Sequence, residues 1–147
     1  MRANSEANRK ICDRNGWQED VAKCEWILGW LDTLCDDWPN AYTHLNRAKA
    51  TFTAGHMIYE LARAFVTESA CYLGQGQWDL ALAACERALQ LAAPRGYRLI
   101  HAITHSLENS LTHTADSKII VRPTATDAER VEGRIFIPSC GRAERAP

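Results

Sequence analysis

The sequence has almost no excess of charge of either sign. Its 17 lysine and arginine residues and 18 aspartate and glutamate residues leave a formal net charge of −1 over 147 residues. Proteins that bind nucleic acid usually carry a concentrated basic patch, and anionic membrane surfaces also attract basic proteins. The charge balance supports neither kind of partner, and we expect no nucleic acid and no membrane to bind.

Long hydrophobic runs are also missing. No apolar stretch of the sequence approaches the roughly 20 residues that a membrane-spanning helix needs. The N-terminal stretch MRANSEANRKICDRNGWQED is polar and lacks the apolar core of a secretory signal. We therefore expect a cytoplasmic protein.

The cysteines do not show the spacing of a metal site. No two of them form the C-x-x-C pair that is common in zinc sites. The six residues are Cys12, Cys24, Cys35, Cys71, Cys85 and Cys140. In the reducing cytosol a free cysteine packs like a small apolar residue. We therefore predict free thiols that serve the packing of the core and are not reactive.

Recognisable catalytic motifs are absent from the sequence. It has neither a G-x-x-x-x-G-K-[ST] phosphate loop nor an H-E-x-x-H helix, and no serine or cysteine stands in a recognisable nucleophile motif. One weak constellation is HAITHSLE, in which His101, His105 and Glu108 could hold a divalent metal from one helix face. A partly exposed polar face is the simpler interpretation, so we expect no cofactor and no enzymatic activity.

The sequence does contain several amphipathic segments separated by short turns. Apolar residues recur with a helical period after Trp17, and Pro39 and Gly55 stand where helices begin and end. Pro94 and Gly96 terminate a later segment. The pattern predicts five helices, over residues 18–35, 41–54, 56–73, 80–92 and 97–111.

The two ends of the chain have a different character. Residues 1–16 are polar and charged, and we expect a loose arm or a partial element there. The helical pattern defines a domain over 17–113. Beyond it, SKIIVRP and EGRIFIP are short, β-branched and bounded by proline, so 114–147 is expected to be an irregular or weakly β tail.

The chain resembles itself when it is shifted by 40 residues. The stretch DDWPNAYTHLNRA at 36–48 then falls on GQWDLALAACERA at 76–88. The matching pairs are Trp38 with Trp78, Ala41 with Ala81, Leu45 with Cys85, Ala48 with Ala88, Gly29 with Ser69 and, after one residue of slippage, Gly55 with Gly96. Small residues at these positions let two helix axes approach to about 8 Å, which predicts antiparallel helix pairs.

With these residues the sequence resembles the tetratricopeptide-repeat (TPR) family, in particular the longer repeats of bacterial regulators and signalling ATPases. The resemblance spans roughly residues 22–95. Its residues are Leu28, Gly29, Trp38, Ala41, Leu45 and Ala48 in the first unit, and Phe65, Ser69, Tyr72, Gly76, Trp78, Ala81, Ala88, Leu89 and Leu91 in the second. Asp32 and Glu68 depart from the aromatic and the leucine that the family prefers.

The resemblance implies an all-α fold, a solenoid of antiparallel helix pairs with about two and a half repeats. An unrelated small helical bundle is the alternative. In a TPR-like solenoid the first helix of each pair lines a concave groove that binds partners. By the alignment, the groove residues are Lys23, Trp26, Trp30, Thr33, Arg63, Val66, Ala70 and Leu73.

Aromatic and arginine residues are frequent at binding hot spots, which favours a groove around Trp26 and Trp30. The alternative is that both tryptophans pack in the core or against RNGW, since large aromatic residues are mostly buried. Some family members hold the terminal carboxylate of a peptide with a clamp of basic and amide side chains. The matching positions in the second pair carry Val66 and Ala70, so we do not expect such a clamp there.

These observations predict a non-catalytic protein–protein interaction module that binds a partner peptide or a neighbouring domain in its concave groove. A second hypothesis is a fragment or remnant of a multidomain bacterial transcription regulator or signalling ATPase, whose repeat region acts as a sensor. A third is a small metal-dependent enzyme that uses His101, His105 and Glu108. The odd last helix could also lead to self-association.

Overall fold

A computed structural model describes the backbone of residues 1–120 and the side chains of residues 1–109. This part of the chain is all-helical and contains no strand, which confirms the all-α prediction. The α-helices are α1 (Arg2–Arg14), α2 (Gln18–Leu34), α3 (Trp38–Ala54), α4 (Ile58–Gly74), α5 (Trp78–Ala92) and α6 (Arg98–Ile120), with a short 3-10 turn at Ala93–Arg95. No helix within these residues is long and apolar enough to cross a bilayer.

The structure describes the N-terminal segment and the start of the C-terminal one. Residues 2–14, expected to be a loose arm or a partial element, form α1, which packs against α2. The expected tail begins inside α6, because that helix continues to Ile120. Residues 121–147, which include most of the expected weakly β segments, lie outside the described residues.

The turns that separate the helices share one backbone geometry. Five helices begin at 20-residue intervals, at Gln18, Trp38, Ile58, Trp78 and Arg98. Two residues before each start, the chain takes a left-handed conformation, with φ between 53° and 73°, at Gly16, Asp36, His56, Gly76 and Gly96. Two backbone hydrogen bonds close each turn, as at the end of α3, where Met57 N–H donates to Phe52 O (2.8 Å) and His56 N–H donates to Thr53 O (3.2 Å). This is the Schellman motif, which satisfies carbonyls at a helix end.

The turn after α3 corrects one detail of the sequence alignment. Gly55 has a φ of −84° and is not the left-handed residue. His56 takes that conformation, with a φ of 53°, just as Gly96 does at 67°. The two turns therefore match at a spacing of 40 residues without the slippage that pairing Gly55 with Gly96 required.

Neighbouring helices pack closely through small residues. A Cβ atom added to Gly29 of α2 would lie 2.9 Å from Leu45 Cγ and 3.2 Å from the Ala41 carbonyl oxygen of α3. These distances are shorter than ordinary contacts, so a Cβ atom at position 29 would force Leu45 or the α3 backbone to shift. Gly74, at the end of α4, likewise packs directly on the Trp38 ring. The alanines of α3 and α5 are buried at comparable positions, among them Ala41, Ala48, Ala81, Ala84 and Ala88.

Contacts between side chains define the relative orientation of α2 and α4. The Trp26 indole N–H of α2 donates to Thr67 Oγ1 of α4 (3.0 Å), and Thr33 Oγ1 lies 2.9 Å from Cys71 Sγ. Residue numbers rise together on both helices, so α2 and α4 run in the same direction. Since α4 also packs against α6, it lies between α2 and α6, and these three helices together frame the candidate site.

Candidate functional site

A cavity of about 330 Å³ opens between α2, α4 and α6. We call it the groove. Its lining residues are Trp26 and Trp30 of α2, Tyr59, Arg63, Val66 and Thr67 of α4, and Leu99, Ile100 and Ile103 of α6. The lining is mainly aromatic and aliphatic with a single charged side chain, which is the composition typical of ligand-binding pockets.

Trp26 forms a fixed wall of the groove. Its indole N–H donates to Thr67 Oγ1 (3.0 Å), and the same hydroxyl donates to the Arg63 carbonyl oxygen (3.1 Å). Trp30, one helical turn further along α2, is 39% exposed. The helix therefore presents one tryptophan that the fold holds in place and another whose ring is available to a partner.

Arg63 lies in the floor of the groove against aromatic rings. Its guanidinium carbon is 3.9 Å from the centroid of the Trp26 ring and 5.6 Å from that of Tyr59. A guanidinium over the face of an aromatic ring is attracted by the ring quadrupole. Within residues 1–109, the Arg63 guanidinium forms neither an ion pair nor a hydrogen bond.

The α6 side of the groove exposes large aliphatic side chains. Leu99 is 63% exposed and Ile103 is 42% exposed, whereas Ile100 between them is buried. Together with Trp30 they form an apolar surface around one opening. A contiguous patch of this kind on a folded protein is typical of an interaction site.

A second cavity of about 250 Å³ adjoins the groove and shares Trp26 and Arg63 with it. Lys23 and Glu60 contribute to its lining. The Lys23 ammonium donates to Asp20 Oδ1 (3.0 Å), and this hydrogen bond raises the pKa of Lys23 above its usual value. The lysine therefore has an acidic partner of its own, unlike Arg63.

The structure brings together only part of the predicted groove set. Trp26, Trp30, Arg63 and Val66 line the groove, and Lys23 lines the adjoining cavity. The other three predicted residues, Thr33, Ala70 and Leu73, do not line it. Thr33 is buried and donates to the Gly29 carbonyl oxygen (2.8 Å), and Leu73 packs against the buried residues of α5.

Sequence reasoning missed the α6 side of the groove, because it aligned only two helix pairs. Leu99 and Ile103 stand 40 residues after Tyr59 and Arg63, which line the groove from α4. The same shift that matched Trp38 with Trp78 would have found both residues. Residue type alone does not show this correspondence, because Leu99 and Ile103 are aliphatic whereas Tyr59 is aromatic and Arg63 is basic.

The candidate metal site is not assembled. In the described part of the chain, no three His, Cys, Asp or Glu side chains come together as metal ligands. The rings of His101 and His105 lie 6.1 Å apart by their centroids, and both residues are exposed. Glu108 is half-buried, and its charge adds to the effect of burial in raising the pKa of Cys85 on α5.

The cysteines divide into two groups. Cys12, Cys24, Cys71 and Cys85 are free thiols, as expected. Burial raises the pKa of Cys24, Cys71 and Cys85 above the usual value of a thiol, which disfavours the nucleophilic thiolate. Cys35 is disulfide-bonded, so the expectation of a free thiol is wrong at this position. Cys140 lies outside the described residues.

Buried charges elsewhere are partnered within the fold. Glu25 of α2 accepts from Arg9 Nη1 (3.3 Å) and lies 2.5 Å from His44 Nδ1. Asp32, a fully buried residue of α2, pairs with Arg2 of α1. These groups hold α1, α2 and α3 together.

Another buried carboxylate, on α4, has a similar partner. Glu68 of α4 is buried and pairs with Lys49 of α3. Pairing lowers the cost of burying a carboxylate. Asp32 with Arg2 and Glu68 with Lys49 are thus polar contacts between neighbouring helices.

Comparison of the chain with protein-family models, with curated proteins and with solved structures finds no match.

Proposed function

We propose that the chain is a non-catalytic interaction module that binds a segment of a partner protein in the groove. One observation carries the proposal: Trp30, Leu99 and Ile103 expose large apolar surface around a cavity whose wall is already fixed by Trp26. A preformed apolar site lowers the entropic cost of binding, because fewer of its side chains have to be ordered by the ligand.

The proposed architecture is a TPR-like solenoid. The 20-residue interval between helix starts supports it, as does the position of α4 between α2 and α6. In this arrangement α2, α4 and α6 are the first helices of successive pairs, and the groove is the concave surface. Trp30 and Arg63 would then be the residues whose truncation costs the most affinity, since tryptophan and arginine dominate binding hot spots.

An array of short synthetic peptides probed with the full chain tests this function. For the peptides that bind, we expect Trp30→Ala and Ile103→Ala each to weaken affinity by about tenfold, because each removes an apolar contact surface. Leu80→Ala is the matched control, since Leu80 is exposed on α5 and does not line the groove. Binding that is insensitive to both groove variants, or equally sensitive to Leu80→Ala, would contradict the proposal.

A further inference from the structure

Arg63 differs from three other cations that contact buried parts of this fold. Arg2 and Arg9 of α1 and Lys49 of α3 all pair with buried carboxylates. Arg63 is half-buried in the groove, and its guanidinium has no carboxylate partner among the described residues. Its charge is held in place by aromatic rings instead.

This arrangement leaves the edge of the guanidinium available. The Trp26 ring covers one face of the group at 3.9 Å, while the N–H donors of a guanidinium lie in its plane and point outwards. That planar fork matches a carboxylate and can donate two parallel hydrogen bonds to it. Contact with Trp26 therefore orients the group for an anion without satisfying its hydrogen bonds.

A ligand that covers the groove would remove the charged Arg63 guanidinium from water. Removing an arginine from water without a partner is costly, and the apolar walls strengthen any pairing that forms inside them. A wholly apolar ligand would bury Arg63 unpaired, whereas a ligand with a carboxylate would compensate the charge. The groove therefore selects for an acidic group at this point.

The apolar surface continues on both sides of Arg63. Trp30 lies on α2, Leu99 and Ile103 lie on α6, and α4 with Arg63 lies between these two helices. A ligand that uses the whole surface has apolar groups on both sides of its carboxylate. This places the acid within a segment and not at its end.

We propose that the ligand of the groove is an internal peptide segment in which one aspartate or glutamate pairs with Arg63. Apolar side chains before and after this acid pack on Trp30 and on Leu99 and Ile103. The inference rests on the proposed function and defines the chemistry of the partner that the groove accepts.

The test uses matched peptides, acetylated and amidated so that neither end is charged. Each pair has a central glutamate or glutamine between leucine and phenylalanine side chains, and isothermal titration measures its binding to the full chain. We expect the glutamate peptides to bind about tenfold more tightly than their glutamine partners, with an advantage that shrinks as salt is added.

Variants of the protein test whether Arg63 causes the difference in affinity between glutamate and glutamine peptides. Arg63→Gln should abolish the difference between glutamate and glutamine peptides, while Arg63→Lys should keep part of it because the charge remains. Arg87→Gln is the matched control: Arg87 also lies over an aromatic ring, 4.6 Å from the Phe65 centroid, but outside the groove. Arg87→Gln should leave the difference unchanged, and circular dichroism should show that each variant keeps its helices.

The outcomes separate the inference from the proposed function. If glutamate and glutamine peptides bind equally and Trp30→Ala weakens both, the groove binds peptides but the acidic requirement is wrong. If no peptide depends on Trp30, both proposals fail. If a glutamine peptide gains affinity only when its C-terminus is left free, the carboxylate is terminal, and the placement of the acid within the segment is wrong.

Discussion

At the scale of single residues, the five turns use different side chains for one backbone conformation. Gly16, Gly76 and Gly96 take the left-handed conformation without a Cβ atom, whereas Asp36 and His56 take it with one. A side chain in this region costs roughly 1–2 kcal/mol, although aspartate tolerates it better than most residues. The turns at Asp36 and His56 are therefore more strained than the three glycine turns.

Replacing His56 with glycine should stabilise the protein. Relief of the left-handed strain outweighs the added entropy of glycine in the unfolded chain, so we expect the free energy of unfolding to rise by about 0.5–1 kcal/mol. Urea denaturation measures the change. Gly76→Ala is the reverse control: φ is 69° and no atom lies within 4 Å of the added Cβ, so strain alone should lower stability by about 1 kcal/mol. A loss of stability in His56→Gly would contradict this account.

The buried thiol of Cys71 predicts how stability depends on alkaline pH. Burial raises the pKa of Cys71 in the folded protein, so between the unfolded and the folded pKa the native state binds more protons than the unfolded state. Stability therefore falls as the pH rises above about 8.5, the pKa of an unperturbed thiol.

Chemical denaturation at a series of pH values compares the wild type with Cys71→Ala. The variant should lose stability less steeply between about pH 8.5 and pH 10. Burial raises the pKa of Cys24 and Cys85 in the same direction, so the slope should diminish without vanishing. Identical slopes in the two proteins would show that the Cys71 thiol does not contribute.

At the scale of whole elements, α1 is attached differently from the other helices. Ser5 is its one buried residue, and its Ile11 is exposed. Arg2 and Arg9 instead pair with Asp32 and Glu25, which are buried on α2. Charge pairs, more than apolar packing, hold α1 to the rest of the fold.

We expect the double variant Arg2→Ala, Arg9→Ala to release α1 while α4 and α5 stay folded. Both arginines are partly exposed, so the loss should be moderate, about 1–2 kcal/mol. Hydrogen exchange should become at least about tenfold faster in α1 and stay unchanged in α5. Lys10→Ala is the control, because Lys10 is an exposed residue of α1. Equal acceleration throughout the molecule would mean that α1 unfolds only together with the core.

The contrast between α1, which is held by charge pairs, and the helices with an apolar face explains which elements could be predicted from the sequence. The helices α2 to α5 follow an apolar period with glycine or proline near their ends, so the predicted ranges fall within a few residues of the observed ones. The polar inner face of α1 gives no such period. The end of α6 was missed because Ile119 and Ile120 favour strands locally. A 40-residue shift predicts four residues of the groove lining: Trp26, Trp30, Arg63 and Val66. It could not predict the side-chain hydrogen bonds of Thr33, which keep this residue out of the groove lining.

At the scale of the whole molecule, the large apolar residues divide between the core and the groove. Phe52 is 1% exposed and belongs to a core cluster that includes Ala62 and Phe65 of α4. Trp30 is large as well, but a substantial part of its surface faces solvent at the groove. The fold therefore depends more on Phe52 than on Trp30, whose exposed surface would contact the proposed ligand.

A pair of truncations tests this division. Phe52→Ala should lower the free energy of unfolding by about 3–5 kcal/mol, because it leaves a cavity in the core. Trp30→Ala should cost much less, about 1 kcal/mol, since the removed surface is already partly in water. Thermal and urea denaturation of both variants provide the comparison. A loss for Trp30→Ala as large as that for Phe52→Ala would make Trp30 a core residue, and the groove would then lack the exposed tryptophan on which the proposed function depends.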